Sequence, residues 1–444
     1  MMTKNCIKSM ERYLLQISIL CVIIIYSANL QTDYSKSIRL QSSQTKDIRE
    51  GGIYDSCGPH LGQPGFDSIN PPRWKQYDSQ QTSYMKEVET CVLRFEMWKG
   101  HWSMKGGTQK IDTTLGMLDC QEEYGDIQQS LRNWAKQYRR IWFVGNSVLG
   151  QQFDVLQCML DPQATLNRTE LSRFFIYDHA SDAINRSTIV EADETEQAYL
   201  YTHENSSKFL HNESSPSSTS FERVHHGYLF DEQEKTLYET AFPTIIKLAT
   251  SNDAIVMNAG AHYDHTRMEP MENTLRLIAK ESHQTNASIF FIEPIPENWK
   301  TSNGMYGGWP RGHKYTGGCH QLNEAQINGE DDIDGVFKMP PLSELSNASM
   351  NVYTKLYPEL SKTTSNSRLT EIAPKASWRC DLTRSIFGRG SSISKDDKVK
   401  LIPIFWQLVM SNVTSNVHEG DCTHRSLSAI VNMNIQMVRH MTKG

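Results

Sequence analysis

The chain has 444 residues, of which 38% are hydrophobic, and a formal net charge of -6. That length suffices for one large domain or two ordinary ones with a sizeable core. The pI near 6.2 and mean hydropathy of -0.53, with no long basic run, argue against a nucleic-acid partner, which calls for a basic face. Aromatics make up 9% of the residues, nine of them Trp; they suit a core first and sugar platforms second.

The amino terminus carries Lys4, Lys8 and Arg12 ahead of an uncharged apolar stretch, Tyr13 to Leu30. Its 18 residues lie near the short end of a membrane span. The positive flank precedes it, so residues 1–12 read as a cytoplasmic tail and 13–30 as a signal anchor that sends the rest into the lumen. The alternative is a signal peptide cut after Ser27 or Ala28, leaving a secreted protein. Tyr26 stands against the cut after Ala28, because a small residue is wanted there. Residues 31–56, with QSSQTKDIREGG, read as a flexible stem, and 57–444 as the luminal domain.

Two further features fit a lumen. Seven Asn-x-Ser/Thr sequons follow the anchor, at Asn167, Asn185, Asn205, Asn212, Asn286, Asn347 and Asn412; each is a weak signal and the number is not. Seven cysteines also follow it: Cys57, Cys91, Cys120, Cys158, Cys319, Cys380 and Cys422. Most are expected to pair in an oxidising compartment, with one left over. The lack of a Cys-x-x-Cys pair argues against structural zinc.

Residues 57–102, rich in Pro, Gly and aromatics, read as an irregular lobe stapled by cysteines. Strands and helices then alternate. Arg140 to Val144 is a buried strand, and Val148, Leu149, Phe153, Leu156, Met159 and Leu160 recur at helical spacing. Phe174 to Tyr177 is a second strand, and Asp193 to Ser220 a polar loop insertion. Ala241 to Thr250 is helical. DAIVMNAG is a strand running into a glycine turn. Met268 to Ser282 is a helix, ASIFFIEP a strand, and Asn303 to Gly318 a glycine-rich loop. Lys400 to Val409 is a last strand broken near its start by Pro403, and Ser426 to His440 a closing helix. Strands separated by helices predict a parallel sheet covered on both faces. Sites in such sheets lie at the carboxyl ends of strands.

Three segments combine there. Gly145-Asn146-Ser147 follows a strand, Asn258-Ala259-Gly260 follows another, and Asp421-Cys422-Thr423-His424 precedes the last helix. A serine hydroxyl needs a base to take its proton and donors to hold the oxyanion. His424 is the candidate base, and Asp421, three residues earlier, orients it. Asn258 offers a side-chain N–H to the oxyanion, with the backbone N–H groups of Ser147 and Gly260. Alone, a Ser in this position caps a helix more often than it attacks a carbonyl, and Asp-x-x-His before a helix is also more often a cap. The pattern is not the Gly-x-Ser-x-Gly elbow, since Gly150 falls one residue too far. The set, its order and its place at strand ends give it weight.

WFVGNSVLGQQFDVLQCML resembles the first block of the trichome-birefringence-like / PC-esterase proteins, membrane-anchored members of the GDSL/SGNH superfamily in which that block usually reads Gly-Asp-Ser. DAIVMNAGAHY is similar to their Asn-x-Gly-His block, with the His displaced by one residue. ASIFFIEPIPENW followed by GGCHQLNE, and DCTHRSLSAIVNMNIQM, resemble their later blocks. The resemblance implies a three-layer α/β/α sandwich with a parallel sheet, SGNH-hydrolase-like. It implies Ser147 as nucleophile, His424 as base, Asp421 as its orienter and Asn258 in the oxyanion hole. It also implies a Cys319–Cys422 disulfide, with Cys158 pairing to an upstream cysteine. Many members move acetyl groups onto or off polysaccharide hydroxyls in the Golgi. Two departures stand out: Asn146 replaces the family Asp, and Arg425-Ser426 replaces the Trp-Cys that usually follows the last His.

The resulting expectation is a Golgi type II membrane O-acetyltransferase acting on polysaccharide or glycan hydroxyls. It would use an acyl donor such as acetyl-CoA or another acetyl carrier and no bound cofactor. The alternatives are an acetylesterase on the same fold and a non-catalytic glycan-binding protein. His262, Trp309 and Arg311 are candidate substrate contacts; an Arg there suits a carboxylate-bearing donor or sugar acid. His262 and His265 lack an obvious third ligand for a metal, and GEDDIDG lacks the late Glu of a calcium loop, with Pro341 in its place. No metal is expected.

Overall fold

The six residues of Arg140–Gly145 are all buried, yet they serve two different cores. Ile141 and Phe143 belong to one hydrophobic cluster, Trp142 and Val144 to another. The same alternation recurs in Ala254 and Val256 against Ile255 and Met257, and in Phe290 and Ile292 against Ile289 and Phe291. A strand has a side-chain period of two, so this split places a sheet between two apolar layers.

The computed structural model describes residues 73–75, 79–93, 103–104, 107–108, 117–119, 126–163, 172–191, 217–225, 242–243, 245–260, 263–297, 345–358, 375–388, 398–404, 423 and 425–442. In chain order the elements are β1 (Arg73–Lys75), α1 (Ser79–Val92), β2 (Ser103–Met104), β3 (Gly107–Thr108), β4 (Met117–Asp119), α2 (Ile127–Ala135), β5 (Arg140–Gly145), α3 (Ser147–Leu160), β6 (Ser172–Asp178), β7 (Ala183–Glu191), β8 (Ser218–His225), β9 (Asp253–Asn258), α4 (Met268–Ser282), β10 (Ser288–Ile292), α5 (Asn347–Leu356), α6 (Trp378–Phe387), β11 (Val399–Ile402) and α7 (Leu427–Thr442).

Seven strands form one sheet in the order β11-β10-β9-β5-β8-β6-β7. The first five pair in parallel, and β6 runs antiparallel between β8 and β7. The fold is α/β with a mostly parallel, mixed sheet, where the sequence predicts an all-parallel one. Residues of α1, α2, α3 and α7 join one hydrophobic cluster, and residues of α4, α5 and α6 the other. The sheet is therefore covered on both faces, as parallel strands require.

Two sequence expectations change. Residues 57–102 contain a regular helix, α1, in the lobe read as irregular; its buried face is Gln81, Met85, Val88, Cys91 and Val92. The stripe is one residue wide and flanked by charge, so its 3.6 period is faint in the sequence. The segment read as a loop up to Ser220 ends in strand β8, which pairs directly with β5. Its polar residues satisfy neighbouring groups: Thr219 Oγ1 lies 2.8 Å from Ala135 O and 2.6 Å from Tyr138 O, and Arg140 Nε donates to Ser220 Oγ at 3.2 Å. The last strand breaks at Pro403 as expected, with β11 ending at Ile402; residues 405–409 lie outside the described residues. Two small antiparallel pairs, β1 with β4 and β2 with β3, precede the main sheet.

The upstream partner of Cys158 is Cys91, with a sequence separation of 67. This bond fastens α1 to α3, the helix that begins at Ser147. Replacing both cysteines with alanine is expected to lower unfolding stability by about 2–4 kcal/mol, measured by urea denaturation. Cys380 is a buried free thiol; burial pushes its pKa up, as does the neighbouring Glu293 carboxylate.

Candidate active site

β5 and β9 are adjacent and parallel, but the chain leaves them in opposite directions. β5 leads toward the β8 side of the sheet and β9 toward β10. Such a reversal opens a crevice at the carboxyl ends of the two strands. Gly145-Asn146-Ser147 and Asn258-Ala259-Gly260 both lie at that place.

Close backbone approach joins the two turns. A Cβ on Gly145 would stand 2.7 Å from Asn258 O and 3.3 Å from Asn258 N, so only glycine fits without moving β9. Asn146 is 4% exposed and caps α3. Its Oδ1 accepts from Val148 N at 3.0 Å and Leu149 N at 3.4 Å. An amide oxygen caps a helix as well as a carboxylate does, so this turn needs no carboxylate to keep its shape. Ser147 is the first residue of α3 and is partly exposed, in a helix otherwise buried throughout. The positive end of the helix dipole lies at this position.

The second turn is held from three sides. Gly260 has φ +131°, and a Cβ there would lie 2.7 Å from Pro294 Cβ. Its carbonyl accepts from Tyr263 N at 3.0 Å and from Arg379 Nη1. Asn258 Nδ2 approaches Ile292 O at 3.2 Å and Glu293 O at 3.4 Å. Its amide is thus directed at the end of β10, and Asn258 itself is 4% exposed.

The third segment meets the first through α7. Arg425 N donates to Gln151 Oε1 at 3.3 Å. Gln151 lies one turn after Ser147 on α3 and is fully buried; Arg425 directly follows His424. Ser426 Oγ accepts from Ala429 N at 3.3 Å and starts α7. Further along, Asn434 Nδ2 donates to Gln152 O at 2.9 Å. Beside the same helix, Arg223 of β8 faces Asp154 at 3.5 Å, with side chains 7% and 0% exposed. Burial lowers the Arg223 pKa, against the pull of the Asp154 carboxylate. Gly150 makes room for that guanidinium: a Cβ would meet Arg223 Nη2 at 2.0 Å.

The structure therefore sets Ser147 and the Asn258–Gly260 turn at the carboxyl ends of the adjacent strands β5 and β9, and bonds the residue after His424 to the Ser147 helix one turn beyond Ser147. Asp421, Cys422, His424, His262, Trp309, Arg311 and Cys319 lie outside the described residues. So do the predicted span at 13–30, the stem, and Asn167, Asn205, Asn212 and Asn412. Asn185 sits in β7, and Asn286 and Asn347 are exposed. Among the described residues no helix is long and apolar enough to cross a membrane, and no group of three His, Cys, Asp or Glu is placed to hold a metal.

Arg379 Nη1, which donates to the Gly260 carbonyl, also lies 2.6 Å from Glu297 Oε1; the sequence does not mark Gln151, Arg379 or Glu297 as neighbours of the two turns. Gln151 carried a faint signal, an amide on a helix whose other positions are largely apolar. Arg379 and Glu297 carried none, since their meeting is purely tertiary. Compared with protein-family models and with curated proteins, the chain matches none.

Proposed function

We propose that the chain is an SGNH-like serine O-acyltransferase of the trichome-birefringence-like / PC-esterase kind, acting on glycan hydroxyls in the Golgi lumen from a type II membrane anchor. The observation that carries the reading is the Gln151–Arg425 contact. It ties Arg425, which follows Asp421 and His424 in the sequence, to the helix that bears Ser147, one turn after it.

In this reading His424, oriented by Asp421, takes the proton of Ser147 Oγ as that oxygen attacks the acetyl carbonyl of a donor. The tetrahedral oxyanion is held by the backbone N–H groups of Ser147 and Gly260. Asn258, whose amide is turned to β10, fixes the turn and flanks that hole. The intermediate collapses to an acetyl ester on Ser147, and the donor's leaving group departs with the proton from His424. A sugar hydroxyl then loses its proton to His424 and attacks the acetyl carbonyl; the ester bond to Ser147 breaks and His424 returns the proton to Ser147 Oγ. If water takes the place of the sugar, the same intermediate makes the enzyme an acetylesterase. No metal or bound cofactor enters these steps. A Cys319–Cys422 disulfide would brace the His424 loop, and Asn286 and Asn347 are the first sequons we expect to carry glycans.

A fluorophosphonate probe tests the assignment on the full-length chain. Labelling is expected on the peptide containing Ser147, and its rate is expected to fall at least a hundredfold, on the order of 10² or more, in His424→Ala. Labelling of a different residue, or an unchanged rate in that variant, would sink the reading.

A further inference from the structure

The turn at Gly260 is fastened to a buried ion pair that the chemistry above does not use. Arg379, the second residue of α6, lies 2.6 Å from Glu297 Oε1 through Nη1, with side chains 2% and 1% exposed. The same Nη1 donates to Gly260 O. That carbonyl also accepts from Tyr263 N, so a main-chain turn and a charged side chain together determine where it points. Gly260 has φ +131° and is closed off by Pro294, which leaves its peptide little room to adapt if one holder is lost. Pro294 and Glu297 belong to one segment after β10, so the group that blocks Gly260 and the group that orients Arg379 move together.

We infer that Arg379 is a positioning residue for the oxyanion hole. Paired to Glu297, it holds the Gly260 carbonyl and so fixes the backbone on the carboxyl side of the Gly260 N–H, the group that the acyl-transfer reading places in the oxyanion hole. The inference rests on the acyl-transfer reading and adds to it a residue with no contact to the reacting atoms. A charge-assisted hydrogen bond is shorter and stronger than a neutral one, and an oxyanion donor works only if it is fixed before charge develops. Buried arginine and glutamate in this arrangement supply that fixity from two elements, α6 and the 293–297 segment.

The test uses the full-length chain in detergent and an activated acetyl ester, with kcat and KM measured for wild type, Arg379→Met, Arg379→Lys and Glu297→Gln, and folding checked by thermal melting. A donor that acts only in the transition state lowers kcat and leaves KM alone. Arg379→Met is expected to lose about 10²-fold in kcat with KM little changed. Arg379→Lys, which keeps one charged donor, is expected to recover at least a tenfold part of that, roughly 10-fold. Should Arg379→Met fail to fold, Glu297→Gln keeps the size of the partner and is expected to show the same kcat-only loss at smaller magnitude. A folded Arg379→Met or Glu297→Gln with wild-type kcat overturns the inference while leaving Ser147 as nucleophile intact. A loss in kcat that tracks thermal stability, with no recovery in Arg379→Lys, also overturns it and assigns the pair to stability alone. A wild type that turns over no ester overturns the acyl-transfer reading and this inference with it.

Discussion

Ser147→Ala is expected to reduce turnover of an acetyl ester by roughly 10⁴-fold or more, while unfolding stability stays within about 0.5 kcal/mol of wild type. The two effects separate because of where Ser147 sits. It is the first residue of α3 and partly exposed, whereas the cap that starts the helix belongs to Asn146. Removing the hydroxyl removes the proposed nucleophile and leaves the Asn146 bonds to Val148 N and Leu149 N in place. Steady-state kinetics beside urea denaturation checks both halves. A large stability loss with no catalytic loss would instead identify Ser147 as a structural residue of the turn.

The largest stability effect is expected away from Ser147, at Arg384→Met. Arg384 Nε donates to Glu293 Oε1 at 2.5 Å and Nη2 donates to Glu293 Oε2 at 3.1 Å. Glu293 is fully buried and also accepts from Ile404 N at 3.0 Å. Burial works against the Arg384 charge, but the Glu293 carboxylate, together with Cys380 and Asp381, more than offsets it and the pKa ends above its ordinary value. Removing the guanidinium strands a carboxylate inside the protein, which costs about 3–5 kcal/mol. Adding Glu293→Gln to Arg384→Met is expected to restore much of the loss, because a neutral amide carries no stranded charge and its oxygen still accepts from Ile404 N. Denaturation midpoints of the single and double variants decide it; a double variant less stable than the single would refute the electrostatic account.

The parts of the fold that were legible share one property: their local pattern agrees with their tertiary role. DAIVMN and SIFFI are unbroken apolar runs and form β9 and β10 where expected. Met268–Ser282 carries a clear helical stripe and matches its predicted bounds. The illegible parts owe their structure to partners distant in the chain. Thr219 and Ser220 look like loop but are buried in β8 because Ala135, Tyr138 and Arg140 take up their polar groups. WRCDLTRSIF has two arginines that would normally seek water; α6 buries Arg379 and half-buries Arg384 because Glu297 and Glu293 pair with them.

The site divides along the same line. Both glycine turns were visible as small residues at the ends of apolar strands, and the structure gives the reason for two of the glycines, close approach at Gly145 and positive φ at Gly260. Asn146 was the doubtful residue in the sequence, and its side chain makes the cap that a turn of this kind needs. The aim of the Asn258 amide was not legible, because it depends on where the carbonyls of Ile292 and Glu293 fall beside it. The tie between Gln151 and Arg425 joins residues 274 positions apart, and no local pattern carries such a contact.

The central claim is that Ser147 carries an acyl group. The most direct measurement is the intact mass of the full-length chain, freed of glycans, after brief exposure to an activated acetyl ester, with Ser147→Ala beside it and ester turnover followed in the same samples. The account predicts a gain of one acetyl group on the wild type and none on the variant. An equal gain on both, or neither adduct nor turnover in a folded wild type, would contradict it.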